Sequence, residues 1–187
     1  MRIISGKFKG KKLLEPQNRQ TRPLKDLTKE SIFNIINHSN KFSIDINKAH
    51  VLDLFSGVGS FGIECLSRGA SYVTFIEKYE GVLPILKKNI NNLKSDINYE
   101  IIESDILNKL KFKNLKLRYD IIFLDPPYKE RALGNILNTI IENKTLKDNG
   151  VIIIHRHKNE IDEFPKKFRL IDEKKYGISK IIFGSYS

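Results

Sequence analysis

The sequence predicts an α/β fold, a mostly parallel sheet with helices on both faces. Three observations predict it. From residue 50 onward, short apolar runs alternate with segments of helical periodicity. Most of those runs are continuously apolar rather than alternating, as expected of strands buried on both faces. A glycine-rich turn, "SGVGSFG", lies between the first strand-like run and the first helix-like one, where α/β folds bind ligands.

The elements follow in order. "HVLDLF" (50–55) reads as a buried strand and "SFGIECLSRG" (60–69) as a helix closed by Gly69. "SYVTFIE" (71–77) is a strand. "GVLPILKKNINNL" (81–93) puts Val82, Leu86, Asn89 or Ile90, and Leu93 on one helical face, with Pro84 near the first turn, where proline is tolerated. "NYEIIESD" (98–105) is a strand, and a short helix is expected after it. "DIIFLD" (120–125) is a strand. "ERALGNILNTIIENK" (130–144) carries the stripe Leu133, Ile136, Leu137, Ile140 and Ile141. "GVIIIH" (150–155) is a strand, and "FRLIDEKKYGISKIIFGSY" reads as two strands turning near Gly177. Before residue 50, residues 1–20 read as a small strand pair or extended arm. "LKDLTKESIFNIINHS" (24–39) reads as a helix with Leu27, Ile32, Phe33, Ile35 and Ile36 as its apolar residues. Residues 1–40 are expected to form a basic extension and residues 41–187 the main domain.

The 187 residues suit one such domain, and 40% hydrophobic content suffices for a sizeable core. One cysteine, Cys65, permits no disulfide within the chain and is expected in the core. No apolar run is long enough to span a membrane, and the N-terminus lacks a secretory pattern, so a cytoplasmic location is expected. Net charge is +11, and the first 25 residues hold eight basic residues against one acid, Glu15. Clustered charge of this kind is the footprint of a polyanion partner. On charge alone, a solvated lysine-rich arm explains it equally well.

Gly57, Gly59 and Gly62 form G-x-G-x-x-G between a strand and a helix, and Glu77 ends the next strand 20 residues after Gly57. Glycines allow close approach of backbone to ligand, the helix N-terminus offers free N–H donors, and Glu77 is placed to accept from ribose hydroxyls. This pattern alone does not separate NAD from other adenosine cofactors. Asp53, inside the strand, would repel a pyrophosphate but suit a cationic amine, and Asp105 ends the third strand, within reach of an adenine edge. Three acids at three strand ends fit S-adenosylmethionine better than NAD. The plainer readings are a turn-stabilising role for Asp53 and a helix cap for Asp105.

The fourth strand runs into Asp125-Pro126-Pro127-Tyr128. Two prolines stiffen the corner and remove two backbone donors. Asp125 and the Pro126 carbonyl can accept N–H bonds from an exocyclic base amine, and Tyr128 can stack on the base. The plainer reading is a structural turn.

The ordered pair "DLFSGVGSFG" and "DPPY" resembles class I S-adenosylmethionine-dependent amino-methyltransferases. The resemblance is closer still to the bacterial 16S rRNA (guanine-N2)-methyltransferase family and covers almost the whole chain. "MRIISGKFKGKKL" is similar to that family's opening, and "TRPLKDLTKESIFNII" to its next segment. Leu27 departs from the usual arginine and Lys25 from threonine, while Arg22, Pro23, Asp26, Lys29 and Glu30 keep the type. "HRH" (155–157) stands where acids are usual, and His155 and His157 read as polar strand-end residues rather than metal ligands. The resemblance implies a Rossmann-like, seven-stranded sheet with a final antiparallel strand and an RNA-contacting extension. It implies that Asp53, Phe55, Ser56, Gly57, Gly59, Glu77, Asp105 and Ile106 serve S-adenosylmethionine and that Asp125, Pro126, Pro127 and Tyr128 hold the target amine. Arg2, Lys7, Lys9, Lys11, Lys12 and Arg22 would contact RNA. The expected partner is 16S rRNA or an assembling small ribosomal subunit, bound by a monomer without a metal. An adenine-N6 methyltransferase acting on DNA or RNA is the alternative that uses the same corner. DNA enzymes of this motif order carry an inserted recognition region, for which the stretch from Gly59 to Asp125 has no room.

Overall fold

The computed structural model describes residues 1–16, 24–106, 115, 117–127 and 132–186. Its elements are α1 (Asp26–His38), β1 (His50–Leu54), α2 (Ser60–Ser67), β2 (Tyr72–Glu77), α3 (Leu83–Asn91), β3 (Tyr99–Glu103), β4 (Tyr119–Leu124), α4 (Leu133–Glu142), β5 (Leu146–His157), β6 (Phe168–Tyr176) and β7 (Ser179–Tyr186). The seven strands form one sheet in the order β3-β2-β1-β4-β5-β7-β6. Strands β1 to β5 pair in parallel, and β7 runs antiparallel to both β5 and β6. The strand order reverses at β1 and β4, so the ends of β1 and β4 border a natural crevice.

Alternation along each strand divides the core in two. Val51, Val73, Phe75, Ile121, Phe123, Val151, Ile153, Ile181 and Phe183 face one side, with α1, α2 and α3. Leu52, Leu54, Ile76, Ile122, Leu124, Ile152, Ile154 and Ile182 face the other, with the expected α4 stripe. Each such side chain contributes roughly 1.5–3 kcal/mol by leaving water. The edge strands differ: Tyr99, Glu100 and Glu103 of β3 are exposed, as are Arg169, Leu170, Glu173, Lys174 and Lys175 of β6. An edge strand has one neighbour and incomplete cover, so polar side chains there cost nothing.

Helix α1 starts within two residues of the expected place, but Leu27 is 78% exposed while Ile32, Phe33 and Ile36 are buried. Leu27 falls on the solvent side of the helix, and Lys29 takes the inward place one turn before Phe33. The helix expected after β3, and Arg22 and Tyr128, lie outside the described residues. Among the described residues no helix is long and apolar enough to cross a membrane.

The first sixteen residues join the same core through Ile3, Phe8 and Leu13. Polar contacts add to that apolar hold. Glu64 of α2, fully buried, accepts from the backbone N–H of Ile4 (2.8 Å) and Ser5 (3.0 Å) and from Arg68 Nε (2.9 Å). Lys29 Nζ, also fully buried, lies 3.6 Å from Glu64 and donates to Arg2 O (2.7 Å) and Ser60 Oγ (3.3 Å). Burial pushes the Lys29 ammonium below its ordinary pKa, and Glu64 opposes that shift. Replacing Glu64 by Ala strands a buried cation and two backbone donors at once. A loss of about 3–5 kcal/mol in urea unfolding is expected; a loss below about 1 kcal/mol, the scale of an exposed pair, would show that this contact does not hold the segment.

Candidate active site

Between the end of β1 and the start of α2 the chain must reverse within a few residues. It does so with left-handed backbone at Phe55, Gly57 and Gly59 (φ 60°, 54° and 84°). Gly59 admits no side chain, because a Cβ there would lie 2.5 Å from Leu86 Cδ1. Gly62 serves packing instead: its Cβ would meet Phe75 Cε1 at 2.3 Å, so α2 rests directly on β2.

Two carboxylates fix this turn. Glu77 accepts from Gly57 N–H (2.8 Å) with one oxygen and from Lys78 and Tyr79 N–H (2.9 and 2.8 Å) with the other. Asp53 accepts from Gly62 N–H in the first turn of α2 (2.9 Å). Asp53 faces that helix because it shares the parity of Val51. It therefore has the turn-stabilising role, and it also lines the cavity described next. Burial raises its pKa from an ordinary 3.8 to about 8, with Asp125 and Glu77 adding repulsion and Gly62 opposing. Ser56 Oγ donates to Asp53 O (2.6 Å) and lies 3.1 Å from Ile76 O, so β1, the turn and β2 are tied together.

A cavity of about 530 Å³ runs along the carboxyl edge of the sheet. Asp53, Phe55, Ser56, Gly57, Glu77 and Ile106 line one end, and Asp125, Pro126 and Pro127 the other. Leu24, Lys25 and Thr28 at the start of α1 also line it, as does Pro16. Phe61 forms part of the wall and stacks between Phe33 and Phe123 (5.2 and 4.0 Å). Gly59 supports the turn without lining the cavity. Asp105 stands outside the lining, half exposed, with Lys78 Nζ at 3.1 Å from its carboxylate.

The corner after β4 is braced from β5. Arg156, buried, donates to Pro127 O (3.3 Å) and to Asp162 (2.9 Å). His155 Nδ1 lies 2.8 Å from Asp125 Oδ1, and its Nε2 lies 2.9 Å from Ser179 Oγ. His155 and Ser179 both line the cavity, which the reading of His155 as a polar strand-end residue missed. The signal available in sequence was a polar run closing the strand beside β4. Among the described residues no group of three or more His, Cys, Asp or Glu is placed to hold a metal ion.

The basic residues divide. Lys11 Nζ donates to Asn92 O and Leu93 O (3.2 and 3.1 Å), just past α3, where a cation complements the helix dipole. Lys7 Nζ donates to Ser95 Oγ (2.7 Å), and both lysines flank the Phe8 ring. Arg2 lies 3.5 Å from Asp26 and is 70% exposed. Lys9 and Lys12 are exposed.

Strand order, glycine turn and acid-lined cavity define the methyltransferase-like α/β class. The family model "Conserved hypothetical protein 95" matches residues 1–185, and the chain belongs to that family. This bears out the resemblance carried by the glycine turn and the Asp-Pro-Pro-Tyr corner. A Haemophilus influenzae relative named "Ribosomal RNA small subunit methyltransferase D" is 35% identical over 179 residues, 95% of this chain and 90% of the relative. The solved structure of yhhF from Escherichia coli has a TM-score of 0.80 and 30% identity, covering 100% of this chain and 97% of that one. SMU.776, solved in complex with SAH, shares the fold alone, with a TM-score of 0.66 and 19% identity over 83% of this chain and 48% of that one.

The raised Asp53 pKa sets a pH dependence. Between its unfolded and folded pKa the folded state holds a proton that the unfolded state has lost. Stability from this group therefore falls as pH rises from about 4 to about 8, by no more than about 1.4 kcal/mol per pH unit. Asp53→Asn keeps an acceptor for Gly62 and should lack that slope in urea unfolding; parallel profiles for the two proteins would refute the shift.

Proposed function

We propose that the chain transfers a methyl group from S-adenosylmethionine to the exocyclic N2 amine of a guanine in 16S rRNA. The observation that carries this reading is one continuous cavity joining the Gly57–Glu77 turn to the Asp125-Pro126-Pro127 corner. The cofactor would place its ribose near Glu77, where the oxygen that accepts from Gly57 N–H keeps a lone pair open to it. Asp53 supplies a buried carboxyl for the cationic amino group. No phosphate-binding cation is needed there, and two buried acids disfavour a pyrophosphate. The name of the Haemophilus influenzae relative supports an rRNA substrate.

The chemistry follows from the amine. Its lone pair is delocalised into the ring, which makes it a poor nucleophile. Asp125 and the Pro126 carbonyl accept its N–H bonds and aim the lone pair at the sulfonium methyl. The N–C bond forms as the C–S bond breaks, and that electron pair returns to sulfur as a neutral thioether. The nitrogen, now cationic, gives a proton to the Asp125 carboxylate and from there to water. Rigid positioning of acceptors is the main contribution of the protein. Asp125→Ala should lower the single-turnover rate about 10²–10³-fold, as loss of one preorganised polar group does, with cofactor affinity kept. The assay is transfer of labelled methyl to small-subunit particles from a strain lacking the enzyme, with the product nucleoside identified by mass spectrometry. Full activity of the variant, or methyl on adenine N6 or a ring nitrogen, would defeat the reading.

RNA docking would fall to the exposed part of the basic segment. Lys9→Ala with Lys12→Ala should weaken rRNA binding and reduce the log–log salt slope by roughly 0.7–0.9 per lost phosphate contact. Lys7 and Lys11 are poorer choices, since their removal also releases α3. An unchanged salt slope in filter binding would take Lys9 and Lys12 out of the interface.

A further inference from the structure

Asp125 has little of its own to hold it. Its backbone N–H is 3.4 Å from Leu54 O, a long contact, and the two residues that follow are prolines without N–H groups. A carboxylate on one short stem can turn about its last bond, and a turned plane would present the wrong lone pair to an incoming amine. An anchor from another element is needed, and β5 and β7 supply it. His155 Nδ1 is 2.8 Å from Asp125 Oδ1, and His155 Nε2 is 2.9 Å from Ser179 Oγ. His155 and Ser179 are both 7% exposed, so the ring has little freedom.

The direction of each bond follows from the groups. An ionised carboxylate carries no hydrogen, so Nδ1 must bear the proton it shares with Asp125. In a neutral ring Nε2 is then a lone pair, and the Ser179 hydroxyl donates to it. Ser179 thereby selects the tautomer that His155 needs. Since β7 runs antiparallel to β5, its first residue arrives at the carboxyl edge where β5 ends, and the serine reaches the ring.

We propose that His155 is a positioning residue for methyl transfer. It holds Asp125 Oδ1 so that Oδ2 faces the amine, and Ser179 fixes its tautomer. This rests on the reading of Asp125 as the acceptor for the target amine. Arg156, the next residue on β5, braces the opposite side of the corner through Pro127 O, so one strand end sets both the carboxylate plane and the proline backbone.

The test uses the full chain, labelled S-adenosylmethionine and small-subunit particles from a strain lacking the enzyme. His155→Leu should lower kcat about 10–100-fold, the usual range when a partner that orients a functional group is lost. KM for the particles and Kd for S-adenosylmethionine should stay near wild type. His155→Asn is the discriminating variant, because its Nδ2 stands where Nδ1 stood and can still donate to Asp125. It should recover most of the lost kcat. His155→Gln, whose amide lies further out, should not. Ser179→Ala should fall between wild type and His155→Leu. Equal kcat for the Leu and Asn variants, or a defect confined to KM, would overturn the proposal. If wild type transfers no methyl to a guanine amine, or Asp125→Ala is fully active, the functional reading fails. If wild type transfers and Asp125→Ala does not, while His155→Leu keeps full kcat, the positioning role alone fails.

Discussion

The structure depends on a turn that cannot hold itself. After β1 the chain passes through three left-handed residues, and backbone N–H groups at the head of α2 are left without helical partners. Asp53 takes one of them, at Gly62, and Glu77 takes the N–H of Gly57 within the turn. Each carboxylate belongs to a strand rather than to the turn, so the position of the turn is set by the register of β1 and β2. That arrangement has a cost. Among the described residues no cation pairs with the buried Asp53, and its pKa rises to about 8. A site that buries a carboxyl in this way is prepared for a cationic group.

Once the turn is fixed, so is α2, and residues 1–16 and α1 assemble on α2. Glu64 gathers Ile4, Ser5, Arg68 and Lys29 on one buried carboxylate. Lys29 also reaches Ser60, the first residue of α2 and part of the cavity wall. Asn89 of α3 ties Leu14 to Val58 in the glycine turn (3.1 and 3.0 Å). The segment that carries the exposed lysines is thus bonded to the same helix and turn that shape the cavity. In the proposed function, RNA contact and cofactor contact would share this support without sharing residues.

Much of this was legible in the sequence because it rests on local chemistry. Continuous apolar runs marked the central strands, glycine spacing marked the turn, and two prolines after Asp125 marked a rigid corner at a strand end. What was hidden depends on residues far apart in the chain. Leu27 looked apolar and inward, but Lys29 is the inward residue because Glu64 waits for it. Lys7 and Lys11 looked like free charge, yet they serve the end of α3, which no local pattern reveals. Asp105 was expected to end its strand, but β3 stops at Glu103 and Asp105, two residues on, pairs with Lys78. His155 and Ser179 meet only because β7 runs back along β5, and that register is set by the whole sheet.

The two ends of the cavity explain each other. On the proposed function, the glycine turn would present acids to an adenosine cofactor and the proline corner would present acceptors to the target amine. Phe123 and Ile76 are apolar residues of the lining between the two ends. The central claim is that the acid-lined end is built for a cofactor with a cationic amine and no phosphate. Isothermal titration of the full chain with S-adenosylmethionine and, separately, with NAD tests this directly. One equivalent of S-adenosylmethionine should bind, with no detectable heat from NAD. Binding of NAD in preference, or of neither, would contradict the account.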